Sequence, residues 1–431
     1  MRPTPKPLDV LHPSRRHWLR TAAAGGVAAL APWAGLSLAG TATPGGPRLV
    51  LMILRGGLDG LSAVPAVADP DFAEARGALG RFASPALPLD NLFALHPALP
   101  GLHAMYGQGE LLVVHATGLP YRERSHFDGQ QVLESGGERP FALSTGWLGR
   151  ALAGSSRKAM ALQSSVPLVL RGHTEVDTWA PSSRPDPGAD LVARLERLYL
   201  DDVPLAAALA RARELRAGSG GDSMSLASSP AGGMADGMAG GMAGGTAAGT
   251  VPGPARQPAL LLARQAAQFL ARPDGPQAAV LDLSGWDSHA NQVADPGPLV
   301  NNLRLLDASL GALREGLSGP AAGDTWRRTV VLVVTEFGRT VAINGTQGTD
   351  HGSGGAALLL GGAVRGGRVI ADWPGLAPAQ RFEGRDLRIT IDLRALFKTV
   401  LIEHLGLDPV RISQQALPGS AGLARLDLLR A

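Results

Sequence analysis

Six short runs of strand length are apolar on nearly every residue: Leu49–Leu54, Leu111–Ala116, Val166–Leu170, Ala278–Leu283, Val330–Val334 and Ala356–Leu360. A strand with one face in water alternates apolar and polar residues. A run that is apolar throughout has both faces covered, as in a parallel sheet flanked by helices. Stretches of helical spacing lie between these runs, at Pro97–Tyr106, Phe127–Glu134, Leu191–Arg216, Gln257–Ala271, Pro298–Leu317 and Asp392–His404. In the last, Leu393, Leu396, Phe397, Val400 and Leu401 form one apolar face. The alternation predicts an α/β protein, a three-layer α/β/α sandwich around a mostly parallel central sheet. Pro167 demotes Val166–Leu170 to an edge, and Pro204 is expected to kink or split its helix.

Composition sets the remaining bounds. With 431 residues, 45% of them hydrophobic, the chain can bury a large core and is not wholly disordered. The absence of Cys excludes disulfides, thiolate metal sites, iron–sulfur clusters and a Cys nucleophile. The net charge is only +3, and the basic surplus sits at the start, where Arg2, Lys6, Arg15, Arg16 and Arg20 face the single acid Asp9. A nucleic-acid partner is therefore not indicated.

Residues 14–20 read Ser-Arg-Arg-His-Trp-Leu-Arg, followed by a weakly apolar Ala- and Gly-rich run, Thr21 to Ala39, and small residues at Ser37, Ala39 and Ala42. A charged start, a mild apolar centre and a small-residue cleavage zone match a twin-arginine export signal over residues 1–42. The expectation is a periplasmic or secreted protein that meets the twin-arginine translocase and has no stable membrane span. Such passengers cross folded, often with a metal loaded. Residues 43–431 read as a single domain. It is interrupted by a low-complexity Gly/Ala/Met-rich insertion at 217–257, expected to be a disordered loop joining two helices.

In open α/β sheets, chemistry gathers at the carboxyl ends of strands. The first run leads to Arg55-Gly-Gly-Leu-Asp59-Gly60, and the second, after a loop, to Arg124-Ser125-His126-Phe127-Asp128. Ala278–Leu283 leads to Trp286-Asp287-Ser288-His289, and Val330–Val334 to Thr335-Glu336-Phe337-Gly338-Arg339-Thr340. Gly348-Thr349-Asp350-His351-Gly352 precedes the last run. Taken singly, Asp59 reads as a turn residue, Ser125 as a helix cap and Glu336 as a buried partner of Arg339. Together, oxygen and imidazole groups without sulfur suit one or two divalent ions of zinc, manganese, magnesium or calcium. Asp392 and Arg394 read as a helix cap and a surface charge, and His404 as surface or core filler. His96, His103 and His115 carry no motif.

These motifs resemble an exported bacterial family, domain of unknown function 1501, itself similar to a remote branch of the alkaline phosphatase and sulfatase superfamily. The resemblance covers nearly all of the mature chain except the insertion. It implies an alkaline phosphatase-like sandwich with a metal centre. The implied metal ligands are Asp59, Asp287, His289, Glu336, Asp350 and His351. The implied nucleophile is Ser125, at a helix start, assisted by His126, with Arg124 or Arg55 clamping ester oxygens. This chain departs from the superfamily pattern in spacing its pair Asp287-x-His289 and in placing Phe337 after Glu336, where an Asp-His pair is usual. A single-metal or altered site follows. No Cys exists to become a formylglycine. Two functions stay open: a metal-dependent hydrolase of phosphate or sulfate esters, and a catalytically degenerate exported binding or assembly protein that keeps the fold, with or without one structural metal.

Overall fold

The computed structural model describes residues 45–181, 187–218 and 256–430. The leader and the 219–255 stretch of the insertion lie outside the described residues. All nine strands of the main sheet can be named in chain order: β1 (Arg48–Arg55), β2 (Leu111–Gly118), β3 (Ala159–Ala161), β4 (Val176–Thr178), β5 (Ala278–Ser284), β6 (Thr329–Val334), β7 (Gly355–Leu360), β8 (Arg368–Ile370) and β9 (Ile391–Asp392). Their order is β8-β2-β7-β6-β1-β5-β3-β4, with β9 pairing alongside the carboxyl end of β2. Every pairing is parallel except those of β7, which runs antiparallel to both β2 and β6.

Burial on both faces explains the apolar runs. In β1, Val50, Met52 and Leu54 enter one core, and Leu49, Leu51 and Ile53 enter the other. The first core is roofed by α1 (Pro100–Gly107), α5 (Arg256–Ala271) and α6 (Pro298–Ser318). The second is covered by α2 (His126–Ser135), the short helix Trp147–Leu152 and α7 (Leu393–Thr399). Helix α6 shows the cause: Leu299, Leu303, Leu306, Leu310, Leu313 and Leu317 recur at helical spacing and all are buried. Pro298 opens the helix where a missing N–H costs nothing. Truncating Leu303 to Ala would cost about 2–5 kcal/mol. The chain is therefore the α/β/α sandwich that its periodicity implies.

Three details differ from the sequence expectation. Val166–Leu170 is not a strand; Leu170 N–H closes onto Pro167 O at 3.1 Å in a 3₁₀ turn, and Ala159–Ala161 and Val176–Thr178 form that edge instead. Pro167 has no N–H to give a ladder, whereas a turn does not need one. The last helix changes at Thr399 to a π-helical turn, Val400–His404. Arg394 is buried against Asp392 rather than being a surface charge. The split near Pro204 is found, with α3 at Ala189–Leu198 and α4 at Val203–Gly218. Among the described residues no helix is long and apolar enough to cross a membrane.

Candidate metal centre

Strand direction brings the polar motifs together. β1, β2, β5 and β6 are parallel, so the segments that follow them leave from one edge of the sheet. β7 runs the opposite way, so the segment that precedes it, with Asp350 and His351, reaches that same edge. Gly56 and Gly57 make the close approach possible. Both have positive φ, and a Cβ on Gly57 would stand 2.9 Å from the Phe337 ring.

Among the described residues, His126, Asp287 and His351 form the group that could hold a metal ion, their ligand atoms all within 4.8 Å of one another. His126 Nε2 lies 3.0 Å from His351 Nε2 and 3.4 Å from Asp287 Oδ1. His351 Nε2 lies 3.1 Å from the same Asp287 oxygen. His289 Nε2 adds contacts of 3.0 Å to Asp287 Oδ1 and 3.0 Å to His351 Nε2. Ligands at about 2 Å in a tetrahedral shell stand ~3.4 Å from one another, close to these spacings.

The outer partners fix what faces inward. His126 Nδ1 meets Glu336 Oε1 at 2.8 Å, His351 Nδ1 meets the Arg124 carbonyl at 2.9 Å, and His289 Nδ1 meets Asp350 Oδ1 at 3.2 Å. A carbonyl or carboxylate oxygen only accepts, so each Nδ1 carries a proton, and a neutral imidazole then turns the Nε2 lone pair toward the Asp287 oxygen. With all three imidazoles neutral, three nitrogen lone pairs face one carboxylate oxygen, an arrangement that a shared cation, or a proton on one imidazole, makes favourable. The residues present fit a divalent cation on the chemistry of this donor set.

The electrostatics agree. Burial opposes ionisation of Asp287, but Arg339 and His351 hold its carboxyl down to about 2. Burial likewise opposes ionisation of Glu336, which His126, the Gly56 N–H and Gln130 outweigh, holding it below the usual range. The Glu336 hydrogen bond raises His126, whereas burial lowers His351. Asn344 holds Asp350 low, and pins its loop by donating to His289 O at 2.9 Å.

The other expected residues each have partners of their own. Asp59 caps the short helix Gly60–Ala63 and is buried against Arg76 Nη2 at 2.5 Å, with Ser62 and Gln292 also donating to it. Burial would raise its carboxyl, but Arg76 outweighs that and lowers it. Ser125 caps α2, its Oγ accepting from Asp128 N at 3.5 Å, and its N–H donates to Tyr121 OH at 3.1 Å. Neither arginine is free to clamp an ester: Arg55 pairs with Glu134 and Asp282, and Arg124 with Glu383 and Asp386. Arg339 pairs with Asp287 at 2.9 Å, not with Glu336. His115 is buried with Nε2 at 3.0 Å from Val64 O, His103 meets Pro88 O, and His96 accepts from Ala98 N. His404 donates to Arg48 O. Gln292, Asn344 and Arg76 were invisible in the sequence because they join the network only across the fold.

No curated protein sequence matches the chain. Among solved structures, Ps i-CgsB in complex with k-i-k-neocarrahexaose is similar at a TM-score of 0.40 and 11% identity, covering 84% of this chain and 72% of that one. The PsFucS1 sulfatase from Pseudoalteromonas sp. gives 0.36 and 13%, covering 84% and 68%. The phosphonate monoester hydrolase of Agrobacterium radiobacter gives 0.35 and 10%, covering 84% and 74%. Residues 103–418 match the model of the family described as "Protein of unknown function (DUF1501)", and the chain belongs to that family.

Proposed function

We propose that this protein is an exported, divalent-metal-dependent hydrolase of phosphate or sulfate esters. The observation that carries the reading is the convergence of the His126, His289 and His351 Nε2 atoms on one Asp287 oxygen, with every Nδ1 turned outward to an acceptor. His126, Asp287 and His351 would hold the ion, with His289 beside them. A divalent ion there supplies Lewis-acid polarisation of an ester oxygen and lowers the pKa of an oxygen nucleophile. Glu336, Asp350 and the Arg124 carbonyl orient the imidazoles. Ser125 is the proposed nucleophile, because it immediately precedes His126 and stands at the amino end of α2, where free N–H groups and the helix dipole favour an anion. Export rests on Arg15-Arg16 and the leader that follows.

A second reading, a catalytically degenerate exported binding or assembly protein with or without one structural metal, draws on two observations. The Phe337 ring packs against His126 and His351 at centroid distances of 4.7 and 5.1 Å, and Arg339 already neutralises Asp287. The two readings part in one experiment on full-length protein purified from the periplasm: elemental analysis together with aryl phosphate and aryl sulfate turnover. The hydrolase reading expects about one or two equivalents of metal and turnover that Ser125→Ala abolishes while metal stays bound. Metal without turnover on a broad ester panel selects the binding protein. Protein that takes up no metal rejects the hydrolase and leaves the binding or assembly protein in its metal-free form.

A further inference from the structure

We infer that Arg124 is a positioning residue for the metal centre proposed above, acting through the tautomer of His351. The inference rests on that reading and deepens it. Arg124 adopts φ +61, a left-handed conformation that residues with a Cβ avoid. That backbone turn aims the Arg124 carbonyl at His351 Nδ1, 2.9 Å away. Because a carbonyl only accepts, it fixes the proton on Nδ1 and leaves Nε2 facing His126 and Asp287.

The side chain explains how the conformation is held. Arg124 Nε donates to Asp386 Oδ2 at 2.9 Å, and Nη2 to Glu383 Oε2 at 2.5 Å. Asp386 is fully buried, and its Oδ2 also accepts from Ser353 Oγ at 2.9 Å, two residues beyond His351. Its own N–H closes a turn onto Phe382 O at 3.0 Å. Arg385, within that turn, donates through Nη2 to the His351 carbonyl at 2.8 Å. The 382–386 turn thus grips His351 twice, directly at its main chain and through Arg124 at its ring. Without the carboxylate anchors Arg124 would relax to negative φ, its carbonyl would swing away, and His351 could take the other tautomer.

The test titrates zinc into metal-free, full-length wild type and variants, and reads the His351 tautomer by long-range ¹H–¹⁵N NMR of the metal-free proteins. Arg124→Ala loses the anchor and disfavours positive φ, so zinc affinity should fall roughly 10- to 100-fold, with a mixed His351 tautomer. Arg124→Gly loses the anchor but takes positive φ freely, so it should keep the Nδ1–H form and lose less than about tenfold. Glu383→Gln, at an exposed residue that leaves the fold intact, should fall between wild type and Arg124→Ala. Wild-type affinity and tautomer in Arg124→Ala would overturn the inference. So would Arg124→Gly as weak as Arg124→Ala, since the guanidinium rather than the carbonyl would then matter. Wild type that binds no zinc overturns the metal reading itself, and the tautomer of His351 then still decides whether Arg124 sets it.

Discussion

Arg339 Nη1 lies 2.9 Å from Asp287 Oδ1, the same oxygen that His351 approaches at 3.1 Å and His289 at 3.0 Å. The guanidinium is wholly buried while the carboxylate is 44% exposed, so a fixed internal cation holds a carboxylate at the surface of the site. Thr349 accepts from Arg339 Nε at 3.3 Å and donates to Gln292 at 2.7 Å, and Gln292 donates to Asp59 at 2.9 Å. One chain of polar contacts therefore joins the buried Arg76–Asp59 pair to the candidate metal centre.

Asp287→Asn keeps the shape but removes the charge that faces the imidazoles. Zinc affinity should drop at least tenfold, and the metal-dependent rise in melting temperature should shrink with it, because an ion bound only to the native state stabilises by mass action. Since the carboxylate is partly exposed, the loss in metal-free stability should be only about 1 kcal/mol. Calorimetric zinc titration checks this, and unchanged affinity would remove Asp287 from the centre.

Asp59→Asn should behave in the opposite sense. Arg76 and Asp59 are both buried, and breaking one side of such a pair leaves a charge without compensation, costing about 3–5 kcal/mol. Denaturant unfolding of the metal-free protein should show most of the effect. A stability loss under about 1 kcal/mol, with zinc binding abolished, would mean that Asp59 belongs to the centre rather than to the scaffold.

The pH dependence of folding should carry the signature of a buried neutral imidazole. Burial pushes His115 down to about 4, against an ordinary value near 6.5. Its Nε2–H donates to Val64 O at 3.0 Å, and its Nδ1 accepts from Ala116 N at 2.8 Å, so a second proton has no place. The unfolded chain takes up that proton first. The stability contribution is full above pH 6.5 and is lost as pH falls toward 4. Between pH 7.5 and 5 the loss attributable to His115 should be about 2 kcal/mol. The depressed carboxyls Asp59, Asp287 and Glu336 lose their contributions at lower pH. Urea unfolding at the two pH values should show a smaller difference in His115→Gln; equal slopes would refute the assignment.

Replacing Arg15-Arg16 by Lys-Lys should leave uncleaved precursor in the cytoplasm, while wild-type protein begins near Gly40 or Thr43. Fractionation with mass determination reads both. Normal export of the Lys-Lys form would sink the twin-arginine reading.

The sequence by itself determined the layers. Apolar runs such as Leu49–Leu54 and Val330–Val334 must be covered on both faces, and the leucine spacing of Pro298–Leu317 must roof one of them, because burial acts on local periodicity that is written along the chain. The motifs at the strand ends were legible for the same reason, since turns that leave a buried strand carry the first polar residues. Tertiary structure decided which of those residues meet. The antiparallel course of β7 brings His351 to the carboxyl edge although it precedes its strand. The pairings of Asp59 with Arg76 and Arg339 with Asp287 join residues 17 and 52 positions apart, through distance and orientation that no periodicity encodes. Three imidazole tautomers were set the same way, by acceptors at Glu336, Asp350 and the strained Arg124 carbonyl, because a hydrogen bond responds to geometry across the fold rather than to spacing along the chain.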